Sequence, residues 1–227
     1  MLRLGRQTQG LRINMTYLLL TYLALVTILT VLDSRLSLMQ RGIIKMSAAS
    51  IFLVIPGYQF AQLNAFETVI FIGLIASWMG DLCLVWTGTG KRFKLGIFSF
   101  LLAHFAYAGA FLLQTLMPVI AGTLFLCLVV FSAIIFLRLQ KDIPQNLKLP
   151  VQIYILALVA MTALAWSIAD HTARIAYGTA ATAFLISDIS VALQRFGTHS
   201  RAHRLWGVPL YFGAQIGFAL LITEQWV

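Results

Sequence analysis

The chain has 227 residues, 60% hydrophobic and 10% charged, with a mean hydropathy of +0.90. A soluble domain carries about 25% charged residues and disorder requires low hydrophobicity, so both classes are excluded. The net charge of +9 arises from 16 Lys and Arg against 7 Asp and Glu. These basic residues fall in short turns between apolar runs, the pattern of topology signals and of contact with anionic lipid head groups.

Apolar runs follow one another at about 16–32, 43–60, 66–86, 96–115, 119–137, 151–169, 174–194 and 205–223. Each is close to the ~20 residues that a membrane-crossing helix needs. Pro56-Gly57, Gly88-Thr89-Gly90, Pro118 and the stretch Pro144 to Pro150 punctuate them. Leu95 to Leu137 contains no Asp, Glu, Lys or Arg and is too long for one span, so it is divided near Gln114–Pro118. The expected fold is all-α: a polytopic integral membrane protein of eight transmembrane helices, forming a single transmembrane domain over residues 1–227. The first run is long and Leu32-Asp33-Ser34 is not a small-x-small site, so no cleavable signal peptide is expected. Loops after the odd-numbered spans hold eleven Lys and Arg, among them Arg41, Arg92, Lys94, Arg195 and Arg204. The other side holds four: Arg3, Arg6, Arg12 and Arg174. The positive-inside rule then puts the odd loops in the cytoplasm and both termini outside. Cys83 and Cys127 lie within apolar runs and form no disulfide framework.

An ionisable residue within a span costs about 2.5–3.5 kcal/mol on insertion scales, so each one requires a reason. Asp81 lies near the end of span three and Asp188 near the end of span seven; His104 lies within span four, and Tyr211 and Gln215 within span eight. Because consecutive spans alternate in direction, all five fall roughly 8–15 Å from the same face at 1.5 Å per residue. Lys45 and Tyr154, near the starts of spans two and six, join that layer. Each Asp or His alone is as easily a helix-packing partner as a functional group. Their convergence at one depth predicts a water-accessible polar pocket open to one face.

The spacing repeats. Asp81 to His104 is 23 residues, as is Asp188 to Tyr211, at an offset of 107 that also pairs Gly90 with Gly197, Lys94 with Arg201 and Phe105 with Phe212. This predicts a parallel 4+4 repeat in which the two aspartates face each other across a pseudo-twofold axis. Two carboxylates in one low-dielectric site cannot both ionise freely, so the pair offers an acid beside a base. Other chemistries lack their parts. Bis-histidine haem needs a second embedded histidine. His199 and His203 are spaced for zinc but stand in a basic loop with no third ligand. There is no phosphate-binding loop, nucleophile elbow or His-Glu-x-x-His helix, and no aromatic-studded soluble face for nucleic acid.

Gly80-Asp81-Leu82-Cys83-Leu84, then Phe93-x-x-Gly96-x-x-Ser99-Phe100-Leu101-Leu102-Ala103-His104-x-x-Tyr107, resembles the YhhN-like and TMEM86-like membrane proteins. Phe184-Leu185-Ile186-Ser187-Asp188 and Tyr211-x-x-x-Gln215 match the later motifs of that family in order, and the resemblance runs from about Lys45 to Gln215. One departure is Lys45-Met46, where the family pattern has Lys-Pro. The resemblance implies a lysoplasmalogenase of the bacterial cytoplasmic (inner) membrane, surrounded by membrane lipids. Its lysophospholipid substrate would be cleaved at the vinyl ether to a fatty aldehyde and glycerophosphocholine or glycerophosphoethanolamine. For that chemistry, one of Asp81 and Asp188 would protonate the β-carbon, and the other would stabilise the oxocarbenium ion and orient water. His104, Tyr107, Tyr211 and Gln215 would position water or glycerol; Lys45, or Arg92 and Lys94, would attract the phosphate. No metal or other cofactor is required. Two rivals stand beside the ether hydrolase: a proton-coupled lipid or small-molecule transporter, and a non-catalytic membrane scaffold.

Overall fold

The computed structural model describes residues 2–85, 90–197, 200 and 202–223, with side chains from residue 15 onward. Eight helices account for nearly all of it: α1 (Leu2–Val31), α2 (Leu38–Gly57), α3 (Ala65–Leu84), α4 (Lys91–Leu112), α5 (Pro118–Leu139), α6 (Gln145–Ala165), α7 (His171–Phe196) and α8 (Ala202–Leu221). The protein is thus an all-α, polytopic membrane protein. The helices α2 to α7 are each long and apolar enough to cross a bilayer. In α1 the apolar part is Met15–Val31, while α8, which carries His203, Arg204 and Gln215, is less apolar. Gly88-Thr89 of the loop before α4, together with His199 and Arg201 of the loop before α8, lie outside the described residues.

Local chemistry sets the helix starts. Ser37 and Gln40 form a capping box on α2, and Asn64 and Glu67 form another on α3, each satisfying two orphan backbone donors. Asp170 caps α7 by accepting from the Ala173 N–H at 2.7 Å. Every helix begins before its apolar run, α1 by the most, at Leu2. α4 starts at Lys91 and α6 at Gln145, because backbone hydrogen bonding continues past the point where hydropathy falls. Pro150, read from sequence as part of a break, lies inside α6. It stands close enough to the helix start to forfeit little of the hydrogen-bond ladder.

Packing follows the repeat. α3 lies along α4, and α7 along α8, as the two most extensive helix pairs. Across the halves, α4 packs on α6 and, correspondingly, α8 packs on α2. α1 and α5 flank α2 and α6 in the same way. α5 contributes one buried residue, Leu139, and packs through half-buried side chains such as Phe125, Leu128 and Ile135. Gly80 admits the Phe100 ring of α4, to which an added Cβ would come within 2.6 Å. On one face the loops before α5 and α7 are joined by Met117 N–H to Ser167 C=O (2.7 Å) and Ala169 N–H to Thr115 C=O (2.8 Å). Beneath that closed end Tyr107 stacks on Phe218 at 4.6 Å, within a cluster that includes Phe111 and Tyr177.

Candidate active site

A cavity of about 470 Å³ lies in the opposite half of the bundle. Asp81 and Asp188 both line it, along with Lys45, Tyr154 and Tyr211. The expected meeting of the two carboxylates in one cavity is therefore present in the geometry.

Each carboxylate has two polar neighbours, drawn from both halves of the chain. Asp81 on α3 accepts a hydrogen bond from the Tyr211 hydroxyl of α8 at 2.5 Å and pairs with the Lys45 ammonium of α2 at 2.9 Å. Asp188 on α7 accepts from the Tyr154 hydroxyl of α6 at 2.7 Å, with His104 Nε2 of α4 at 3.7 Å. Tyr211 and His104 are equivalent at the 107-residue offset. Each aspartate thus meets one residue from its own half and the ring of the other half's return helix. Each has a phenol, and the second neighbour differs: a lysine for Asp81 and an imidazole for Asp188. Exposure differs too, at 14% for the Asp188 side chain against 2% for Asp81, so Asp188 is the carboxylate more open to the cavity.

Three of the expected residues stand behind the cavity wall. His104 is fully buried, edge-on to Tyr154 at 4.8 Å and to Phe184 at 4.9 Å, and neither ring nitrogen makes a hydrogen bond among the described residues. Tyr107 and Gln215 lie deeper, in a chain of donors. The Tyr107 hydroxyl donates to Gln215 Oε1 at 2.9 Å, and Gln215 Nε2 donates to the Tyr211 hydroxyl at 3.2 Å. Ser77 stands 3.5 Å behind Tyr107. Every donor in this chain is oriented toward Asp81. Sequence depth placed these groups in one layer, whereas the rotation of each helix decides which of them reach the cavity.

The mouth of the cavity carries Arg41, Arg195 and Arg204, residues that sequence reading counted only as topology signals. Lys94 is exposed and, like Arg92, lies off the cavity lining. Asp33, in the short turn after α1, joins Arg41 Nε at 2.8 Å to Arg204 Nη1 at 2.9 Å. The deeper wall is apolar on the side of α5 and α6, with Ile135, Val151, Ile155 and Leu158. Among the described residues no group of three or more His, Cys, Asp or Glu is placed to hold a metal ion.

Fold and cavity together define a polytopic helical membrane protein with a pair of intramembrane aspartates, one buried and one half-buried, below a basic mouth. Residues 40–222 match the YhhN family, and the chain belongs to that family. Among curated relatives, bovine lysoplasmalogenase TMEM86A is 28% identical over 185 residues, covering 77% of this chain and 73% of the relative. Human lysoplasmalogenase TMEM86A is 30% identical over 182 residues, with the same coverage. Pig lysoplasmalogenase TMEM86B is 30% identical over 153 residues, covering 67% of this chain and 62% of that protein. No solved structure matches the chain.

Proposed function

We propose that this protein is a lysoplasmalogenase, hydrolysing the vinyl ether of a lysophospholipid by acid–base catalysis with Asp188 and Asp81. The observation that carries the reading is the pair of unequal carboxylates on one cavity, in a chain whose relatives bear that name. Asp81, beside the Lys45 ammonium and at the end of the donor chain from Tyr107, is the carboxylate of the pair. Asp188 has no lysine or arginine paired with it among the described residues and opens to the cavity, which suits the proton donor.

The β-carbon of the vinyl ether takes the Asp188 proton, and the π electrons shift to make an oxocarbenium ion at the α-carbon and ether oxygen. Water adds to that α-carbon and gives its proton to Asp81. As the hemiacetal C–O bond breaks, Asp81 gives its proton to the departing glycerol oxygen and Asp188 takes the hemiacetal hydroxyl proton as the aldehyde carbonyl forms, which returns both carboxyls to their starting states. Proton transfer of this kind typically contributes 10²–10⁴-fold. Tyr154 holds the acid and Tyr211 the base. His104, Tyr107 and Gln215 position these groups from behind the wall. The apolar wall of Ile135, Val151, Ile155 and Leu158 accommodates the hydrocarbon chain. Under the positive-inside rule the excess of basic residues in the odd-numbered loops supports a cytoplasmic mouth in a bacterial inner membrane, with both termini outside.

Purified protein in detergent is expected to release fatty aldehyde from 1-alkenyl-glycerophosphocholine, and Asp188→Asn and Asp81→Asn to abolish that release. A transporter needs a sealed membrane and would release none. Full turnover in both variants would overturn the mechanism.

A further inference from the structure

We infer that Arg41 and Arg204, clamped together by Asp33, form the binding site for the substrate's phosphodiester. The inference rests on the ether-lipid reading above and adds to it the residues that recognise the head group. Arg41 Nε and Arg204 Nη1 each contact one oxygen of the same Asp33 carboxylate, at 2.8 and 2.9 Å. Arg41 also donates through Nη2 to the Asp33 backbone carbonyl at 2.8 Å. Two guanidinium groups sharing one carboxylate keep a net charge of +1 and are held in place before any ligand arrives. Arg195, stacked 4.4 Å over the Phe93 ring, adds a third guanidinium to the same mouth. A guanidinium has five N–H donors, and its fork matches phosphate oxygens. Converging cations at a cavity mouth concentrate an anion there.

Depth selects which anion. Arg41 precedes Lys45 by four residues on α2. Arg195 follows Asp188 by seven on α7, and Arg204 precedes Tyr211 by seven on α8. At 1.5 Å per helical residue the arginines sit about 6–10 Å toward the mouth from the carboxylates and their partners. In a lysophospholipid with an sn-1 vinyl ether, six bonds separate the reacting α-carbon from phosphorus. Six bonds of extended chain span about 7 Å, as two extended residues do. The phosphate therefore reaches the guanidinium layer while the vinyl ether lies between the aspartates. Lys45 lies at the depth of the carboxylates and pairs with Asp81, below the guanidinium layer, so Arg41 and Arg204 are the head-group ligands.

The test is equilibrium binding, which does not depend on turnover. Two saturated ether lipids that cannot be hydrolysed are compared on purified protein: 1-O-alkyl-glycerophosphocholine, and 1-O-alkylglycerol, which lacks the phosphate. Arg41→Gln/Arg204→Gln should weaken binding of the first by at least about tenfold, the loss expected for charge-assisted hydrogen bonds. Binding of 1-O-alkylglycerol should stay at the wild-type value. Arg138→Gln, an exposed basic residue off the cavity, should change neither, which separates the site from general attraction to the membrane surface. Equal weakening for both lipids would make the arginines structural, and no weakening for the phospholipid would remove the site; either result overturns the inference. Failure of wild-type protein to release aldehyde would count against the activity alone.

Discussion

Asp81 and Asp188 occupy equivalent positions in the two halves of the chain, and their surroundings differ in a way that the repeat does not predict. In each half a helix from that half and the return helix of the other half supply the partners. Each carboxylate has a phenol beside it, and the second partner is an ammonium in the first half and an imidazole in the second. Two like groups thus reach one cavity with unlike neighbours, and the proposed division of roles rests on that asymmetry. Glycines let both hairpins pack closely: Gly73 and Gly80 on α3 face Tyr107 and Phe100 of α4, Gly96 on α4 faces Leu84 of α3, and Gly207 on α8 faces Ser190 of α7.

The most damaging test of this asymmetry is Asp188→Asn. Aldehyde release should fall by about 10²–10⁴-fold. The thermal midpoint in detergent should stay near wild type, since the amide oxygen still accepts from Tyr154. Lys45→Met should show the opposite balance in the other half. It strands the Asp81 carboxylate, and unfolding should cost up to about 3 kcal/mol less, the low end for a broken buried pair because Lys45 is partly exposed. Comparable stability losses in both variants would mean that the two carboxylates are equivalent after all. Gly80→Ala should destabilise by roughly 1–3 kcal/mol, because its Cβ meets the Phe100 ring. Tyr107→Phe interrupts the donor chain to Asp81 and should cost about 1 kcal/mol of stability, with a smaller fall in kcat than Asp188→Asn. Lys94→Gln should fall within about 0.5 kcal/mol of wild type and leave aldehyde release unchanged, since the residue is exposed and off the cavity.

Much of this molecule is legible in one dimension. The apolar runs mark the helices, and the recurring 23-residue spacing anticipates the paired α3–α4 and α7–α8 hairpins. The carboxylate pair is legible for the same reason, because an aspartate within a hydrophobic run stands out. Arg41 and Arg204 are not. Basic residues flanking apolar runs look alike in sequence, and only their shared contact with Asp33 separates these two from exposed Lys94. The positions of His104, Tyr107 and Gln215 behind the wall are equally hidden.

Sequence alone determined composition, direction of travel and depth, because a bilayer sorts side chains along a single axis by the cost of burying them. Rotation about each helix axis was left to the tertiary structure. Successive residues turn by about 100° at 3.6 per turn, so two groups at one depth can point to a cavity or away from it. Packing of α4 on α6 and of α8 on α2 sets that angle. It sends Tyr154 and Tyr211 into the cavity, turns His104 behind it, and gives one aspartate a lysine while leaving the other without.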